Sequence, residues 1–141
     1  MSEPADPPKI PKPDPRPAPE SLPYWESAKA GRLELPRCEA CHQHWFPPSR
    51  TCPHCLSANV AWSEVSGRGK VFSYVIYDRV YHPAFEGEVP YVVALIELEE
   101  GPRLLSNVIG IAPLDVRCDM PVKVVFERRA SGASVPMFAP A

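Results

Sequence analysis

Residues 38–55 read CEACHQHWFPPSRTCPHC, which places Cys38 and Cys41, then Cys52 and Cys55, in two Cys-x2-Cys pairs. Each pair can aim two thiolates at a common point, and together they supply the tetrahedral four-sulfur shell that zinc prefers. Four protein ligands leave no open position for water or substrate, so the spacing predicts a structural Zn2+ ion rather than a catalytic one. Such an ion contributes on the order of 10 kcal/mol or more to a segment too short to fold alone. The same shell accepts iron, and an iron electron-transfer ribbon stays open as a competing reading. His42, His44 and His54 lie inside the segment. They are read as surface or neighbouring side chains, because the cysteines already complete the shell.

Clustering of four of the five cysteines in one short window is metal-site spacing rather than a disulfide framework, and it points to a reducing compartment. The fifth, Cys118, stands at a strand entry and reads as a small buried hydrophobe. Glu3 and Asp6 occupy the place where a signal peptide carries positive charge, and no apolar run is long enough for a membrane span. The chain therefore reads as cytoplasmic and not membrane-bound. A formal net charge of −2 and a pI near 6.1 give no general attraction to nucleic acid, whose binding is dominated by phosphate neutralisation.

Outward from the cysteines, the 141 residues divide into four stretches. Residues 1–21 alternate proline with charged or small residues and read as a disordered, extended tail, or as an arm that wraps a partner. Residues 22–32 hold a short helix over Leu22–Ala30, with Ser21 as N-cap, Pro23 in the first turn and Gly31 as the stop. Its anchors, Tyr24 and Trp25, pack on the ribbon or dock a second chain. Residues 33–65 form the ribbon, with short strands at Leu33–Arg37, His44–Phe46 and Val60–Glu64. After Ser66, Gly67, Arg68 and Gly69, residues 66–141 carry strand patterns at Lys70–Asp78, Tyr91–Leu98, Arg103–Ile109, Pro121–Arg128 and Val135–Phe138. Glu100-Gly101-Pro102 reads as a hairpin turn, and Asp119-Met120-Pro121 as a sharp strand entry. The expected class is mainly β, a zinc ribbon followed by a small five-stranded barrel such as an OB-fold. Val71, Phe72, Tyr74, Val75, Ile76 and Tyr77 are apolar on both faces of one strand, so the barrel exterior should be covered by the ribbon or by another protein.

Several of these residues together carry a family likeness. Pro23-Tyr24-Trp25, Leu33 and Leu35 before Arg37-Cys38, Phe46-Pro47-Pro48-Ser49-Arg50 before Cys52-Pro53-His54-Cys55, and Trp62 with Ser66-Gly67-Arg68-Gly69-Lys70-Val71 resemble the rubredoxin-type zinc-ribbon plus OB-fold proteins associated with acyl-CoA enzymes. The likeness continues through Pro90-Tyr91-Val92-Val93-Ala94-Leu95, Glu99-Glu100-Gly101, Leu104-Leu105-Ser106-Asn107 and Met120-Pro121-Val122. The chain departs from that pattern at His42 and Leu56, where the family often has glycine after the knuckle cysteines, and at Asp119, where a glycine commonly precedes Met-Pro-Val.

The resemblance implies a noncatalytic accessory subunit, in a hetero-oligomer, that binds and stabilises a thiolase-like enzyme and helps form its acyl-CoA site. The partner would be an aldolase or lyase, or an acyltransferase, with steroid side-chain degradation among the settings known for such complexes. Within this chain, Arg68-Gly69-Lys70 offers flexible amides and two cations that could meet the phosphates of CoA, or is a plain linker turn. Residues 80–89 form a long connection rich in aromatic residues, with Tyr81, His82, Pro83 and Phe85, suited either to a partner's active site or to packing on its own barrel. No nucleophile and base constellation is legible, so no catalytic residue is assigned. A single-stranded nucleic-acid-binding role, common to zinc ribbons and OB barrels, is the alternative that the acidic balance argues against.

Overall fold

The computed structural model describes residues 9–141; Glu3 and Asp6, and the first part of the expected tail, lie outside the described residues. A helix, α1 (Leu22–Lys29), opens the folded part. Pro23 sits in its first turn, where the missing N–H costs nothing, and Gly31 takes a φ of +76° just past its end. Ser21 does not cap it with its side chain; its hydroxyl donates to the Ala18 carbonyl instead. The buried positions Tyr24, Ser27 and Ala28 stand three and four residues apart on one face.

Strands β1 (Glu34–Cys38) and β2 (Val60–Glu64) pair antiparallel, Cys38 opposite Val60, and carry the cysteine segment between them. The strand expected at His44–Phe46 reduces to one bridge between Arg37 and His44, because Pro47 and Pro48 follow and cannot donate to a ladder. The remaining strands are β3 (Arg68–Tyr77), β4 (Tyr91–Leu98), β5 (Arg103–Val108), β6 (Pro121–Arg128) and β7 (Ser134–Pro140). They close into a barrel in the order β3-β4-β5-β7-β6, with β3 also pairing β6. All ladders in the barrel are antiparallel except the single β5–β7 pair, Val108 with Phe138.

Closure falls at Gly69, which pairs with Leu98 on one side and Val122 on the other. A Cβ there would lie 2.3 Å from the Glu97 carbonyl oxygen, so only glycine allows this approach. The Arg68-Gly69-Lys70 amides thus belong to a strand, not to a flexible turn.

Along β4, burial alternates without interruption, and Val92, Ala94, Ile96 and Leu98 fill the barrel together with Val71, Leu104, Val122 and Phe138. Tyr24, Leu33, Leu35 and Val65 belong to the same contiguous core. Helix, ribbon base and barrel therefore share one apolar interior, which lets each of these small units borrow burial from the others.

Candidate metal centre and binding surfaces

Each cysteine pair sits in a tight knuckle. The His42 N–H donates to the Cys38 carbonyl at 2.8 Å and the Leu56 N–H to the Cys52 carbonyl at 2.9 Å. One residue further on, the chain returns, as the Cys38 N–H meets the Gln43 carbonyl and the Cys52 N–H the Ser57 carbonyl, both at 2.9 Å. These turns require a left-handed residue, and His42 (φ +63°) and Leu56 (φ +66°) supply it despite their side chains. With Asp119 (φ +66°), they are the three non-glycine residues of positive φ among those described, at the three positions where the sequence departs from the glycines of its likeness.

The knuckles bring the four sulfurs within 4.8 Å of one another. Cys38 and Cys55 Sγ are 3.5 Å apart, and Cys41 and Cys52 Sγ 3.6 Å. A tetrahedron with zinc–sulfur bonds of about 2.3 Å has edges of about 3.8 Å, so the donor set fits the ion closely. Backbone amides turn toward the sulfurs as well: Ala40 and Cys41 N–H to Cys38 Sγ at 3.4 Å, and His54 N–H to Cys52 Sγ at 3.3 Å. The Cys41 amide, chiefly, draws the Cys38 thiol down to about 6. At Cys41 the Gln43 amide pulls the other way, but burial and the three neighbouring sulfurs push the thiol up to about 12. A metal ligand must be a thiolate, so a bound cation would offset the resistance that Cys41 shows to ionising.

Trp45, 5% exposed, packs on Cys38 and Cys52 and donates its indole N–H to Ser49 Oγ at 3.0 Å. Cys55 is exposed, so the centre lies at the tip of the ribbon. His42 and His54 are exposed, whereas His44 is half-buried with Nε2 lacking a hydrogen-bond partner. Cys118 is exposed rather than buried, because its turn carries it outward ahead of Asp119 and β6.

The other expected site residues separate. Tyr24 is committed to the chain's own core, its ring 5.3 Å from Phe46, which removes it as a docking side chain; Trp25 stays half-buried against it at 5.0 Å. Arg68 and Lys70 do not form an open cationic patch. Arg68 faces Glu99 at 3.5 Å, and Lys70 faces Glu97 at 3.6 Å and Asp119 at 3.8 Å. Glu97 is held below its ordinary range, first by the Arg103 hydrogen bond, so it stays ionised opposite Lys70. Asn107 spends its amide on the Val92 carbonyl at 2.9 Å.

Residues 80–89 are organised by a short 3-10 helix, Pro83–Phe85, in which His82 Nδ1 accepts the Ala84 N–H at 3.0 Å and Ala84 is fully buried. The loop is thus anchored to its own barrel while still presenting Tyr81, 70% exposed. An aromatic series links it to the sheet: Tyr81 meets Tyr77 edge-on at 6.0 Å, Tyr77 stacks on Tyr91 at 5.4 Å, and Tyr91 lies 5.8 Å from Phe85. On the outward side of β3, β4 and β5, cross-strand rows run Val75–Val93–Asn107 and Ser73–Leu95–Leu105. Val75 is 53% and Leu105 70% exposed, and the ribbon does not cover this face. No sequence signal separated it from a buried face, since both sides of β3 are apolar.

A family model for the ChsH2 rubredoxin-like zinc ribbon domain matches residues 25–61, and one for the ChsH2 C-terminal OB-fold domain matches residues 62–127. A solved structure described as an "Ltp2-ChsH2(DUF35) aldolase" has 40% sequence identity and a TM-score of 0.82, and the match covers 90% of this chain and 98% of that one. The chain belongs to the ChsH2 (DUF35) family. Among ChsH2 relatives, a "Probable enoyl-CoA hydratase alpha subunit" from Thermomonospora curvata is 43% identical over 118 residues, 84% of this chain and 36% of that protein. A "Benzoylsuccinyl-CoA thiolase subunit BbsA" from Thauera aromatica is 31% identical over 100 residues, 68% of this chain and 64% of that protein. This ChsH2-type chain therefore spans roughly a third of the length of the first relative and less than two thirds of the second. Among the described residues, no helix is long and apolar enough to cross a membrane.

Proposed function

We propose that the chain is a noncatalytic accessory subunit that docks on a thiolase-like acyl-CoA enzyme, stabilises it and helps form its acyl-CoA site. The observation that carries this reading is the apolar outer face of β3–β4–β5, continued by Tyr77 and Tyr81, on a barrel whose interior is already filled by its own side chains. Exposed Val, Leu and Tyr in one contiguous sheet face mark a protein contact rather than a solvated surface. Relatives named as subunits of an enoyl-CoA hydratase and of a thiolase, and the two-protein name of the aldolase structure, support a partner of acyl-CoA chemistry.

Zinc is the ion proposed for Cys38, Cys41, Cys52 and Cys55, with a structural role: it fixes the ribbon whose base shares the barrel's core. Tyr81, His82, Pro83 and Phe85 are the side chains proposed to border the shared site, with Trp25 at the edge of the docking surface. The carboxylates around Arg68 and Lys70 weaken the case for a phosphate contact there. The reading is tested by measuring the thermal stability and acyl-CoA turnover of the recovered partner with and without this chain. Both should rise on adding the native chain and stay flat on adding Leu105→Glu; equal behaviour of the two would overturn the docking face.

A further inference from the structure

The proline-rich arm makes contacts that neither the metal centre nor the docking face uses. Lys12 is only 17% exposed in its side chain, and its Nζ lies 2.8 Å from a Glu88 carboxylate oxygen and 3.1 Å from a Glu127 oxygen. Glu88 closes the 80–89 connection, and Glu127 belongs to β6, so one ammonium joins two elements distant in sequence. It also lies 5.5 Å from the centre of the Phe85 ring, within cation–π range. On either side of it, Lys9 reaches Glu88 at 3.3 Å, and the Asp14 carboxylate accepts a hydrogen bond from Ser131 Oγ at 2.7 Å. Within 9–18, the half-buried residues are Lys12 and Pro15, three apart, which is the repeat of a polyproline II helix laying one edge on a surface. Prolines at 11, 13, 15 and 17 restrict the free chain and so reduce the entropy lost when it docks.

We propose that residues 9–15 are a strap that holds the 80–89 loop against β6 and narrows the mouth of the cavity beneath it. That cavity, about 320 Å3, is lined by Lys12 together with Phe85, Tyr91, Asn107, Ile111 and Met137. The strap stands on its own contacts and does not depend on the identity of a docking subunit. Release of Lys12 leaves Glu88 with the exposed Lys9 alone, loosens the loop that carries Tyr81 and His82, and widens the entrance.

The test is amide hydrogen exchange on the full chain carrying Lys12→Met, which keeps the stem and loses the charge, beside Lys12→Arg, which keeps the charge. The Phe85 and Glu88 amides, bonded to the His82 and Phe85 carbonyls, report the loop, and the buried β4 residue Ile96 reports the barrel. Lys12→Met should speed exchange at Phe85 and Glu88 by about fivefold or more while Ile96 stays unchanged, and should raise binding of the neutral dye Nile red. Lys12→Arg should stay within about twofold of the native chain. A Met variant that exchanges like the native chain, an Arg variant as fast as the Met variant, or acceleration shared equally by Ile96 would overturn the strap.

Discussion

The Leu56 N–H donates to the Cys52 carbonyl at 2.9 Å, closing a turn in which Leu56 adopts a φ of +66° while the residue is 78% exposed. The bond orients Cys52 and Cys55 toward one point, and the turn demands a conformation in which a Cβ crowds the following carbonyl. Leu56 buries almost nothing in return. Replacing it with glycine removes that crowding, partly offset by the greater freedom of glycine in the unfolded chain. Leu56→Gly is expected to stabilise the metal-loaded protein by about 0.5–1 kcal/mol, measured as a rise in the denaturant midpoint at unchanged slope.

Gly69 predicts the opposite sign. Its hypothetical Cβ would stand 2.3 Å from the Glu97 carbonyl oxygen, a backbone atom held by the β3–β4 ladder. Gly69→Ala must push two strands apart where the barrel closes, at a cost of about 1–3 kcal/mol. Gly67→Ala should be comparably harmful, since φ there is +74° and a Cβ would collide with Val124 Cγ1. A fall in thermal midpoint for both variants is the expected result.

With the structural zinc proposed above, the cysteine cluster would tie metal to folding. Cys52→Ser removes one ligand from the centre, and the Trp45 indole packed on Cys38 and Cys52 reports it through its fluorescence. The variant should bind less than one equivalent of zinc and lose a large part of the roughly 10 kcal/mol that a structural site supplies. Chelation of the native chain should produce the same fluorescence change, and a colourless protein with one zinc after expression with iron available would set the iron reading aside.

Much of this architecture is legible in the residues. The apolar run from Tyr91 to Leu98 reads as a strand and is one, and the two sulfurs of each cysteine pair lie together in the fold because they are close in the chain. The left-handed residues stand at the three positions where the chain departs from the glycines of its likeness. Other features carry no local signature. Cys118 reads as a small buried hydrophobe at a strand entry but turns outward with Asp119, and His44 to Phe46 has strand composition yet meets two prolines. Composition reads residues 1–21 as a disordered tail or as an arm that wraps a partner, whereas residues 9–15 lie on the chain's own barrel through Lys12, Glu88 and Glu127, a contact between segments that no periodicity connects.

The arm also has a pH response. Burial pushes the Glu88 carboxyl up, but the Lys12 and Lys9 ammonium groups more than offset this and hold it below its ordinary value of 4.5. Glu127 on β6 and Arg129, one residue past the end of that strand, are the other charges facing this cluster. A depressed carboxyl stabilises the docked arm above its unfolded pKa, and that contribution is lost as pH falls through the folded value. A carbon-detected titration of the Glu88 carboxyl should give a midpoint below 4.5 that moves upward in Lys12→Met. An unchanged midpoint would separate Lys12 from Glu88 in solution.

The accessory-subunit role is tested most directly by mild affinity purification of the full chain from its source cells, followed by mass spectrometry and gel quantitation of what remains bound. The account predicts a thiolase-fold protein in stoichiometric amount with the native chain, and its loss with Leu105→Glu, whose side chain lies on the exposed sheet face and outside the core. A chain that elutes alone, with native and Leu105→Glu preparations indistinguishable, would contradict it.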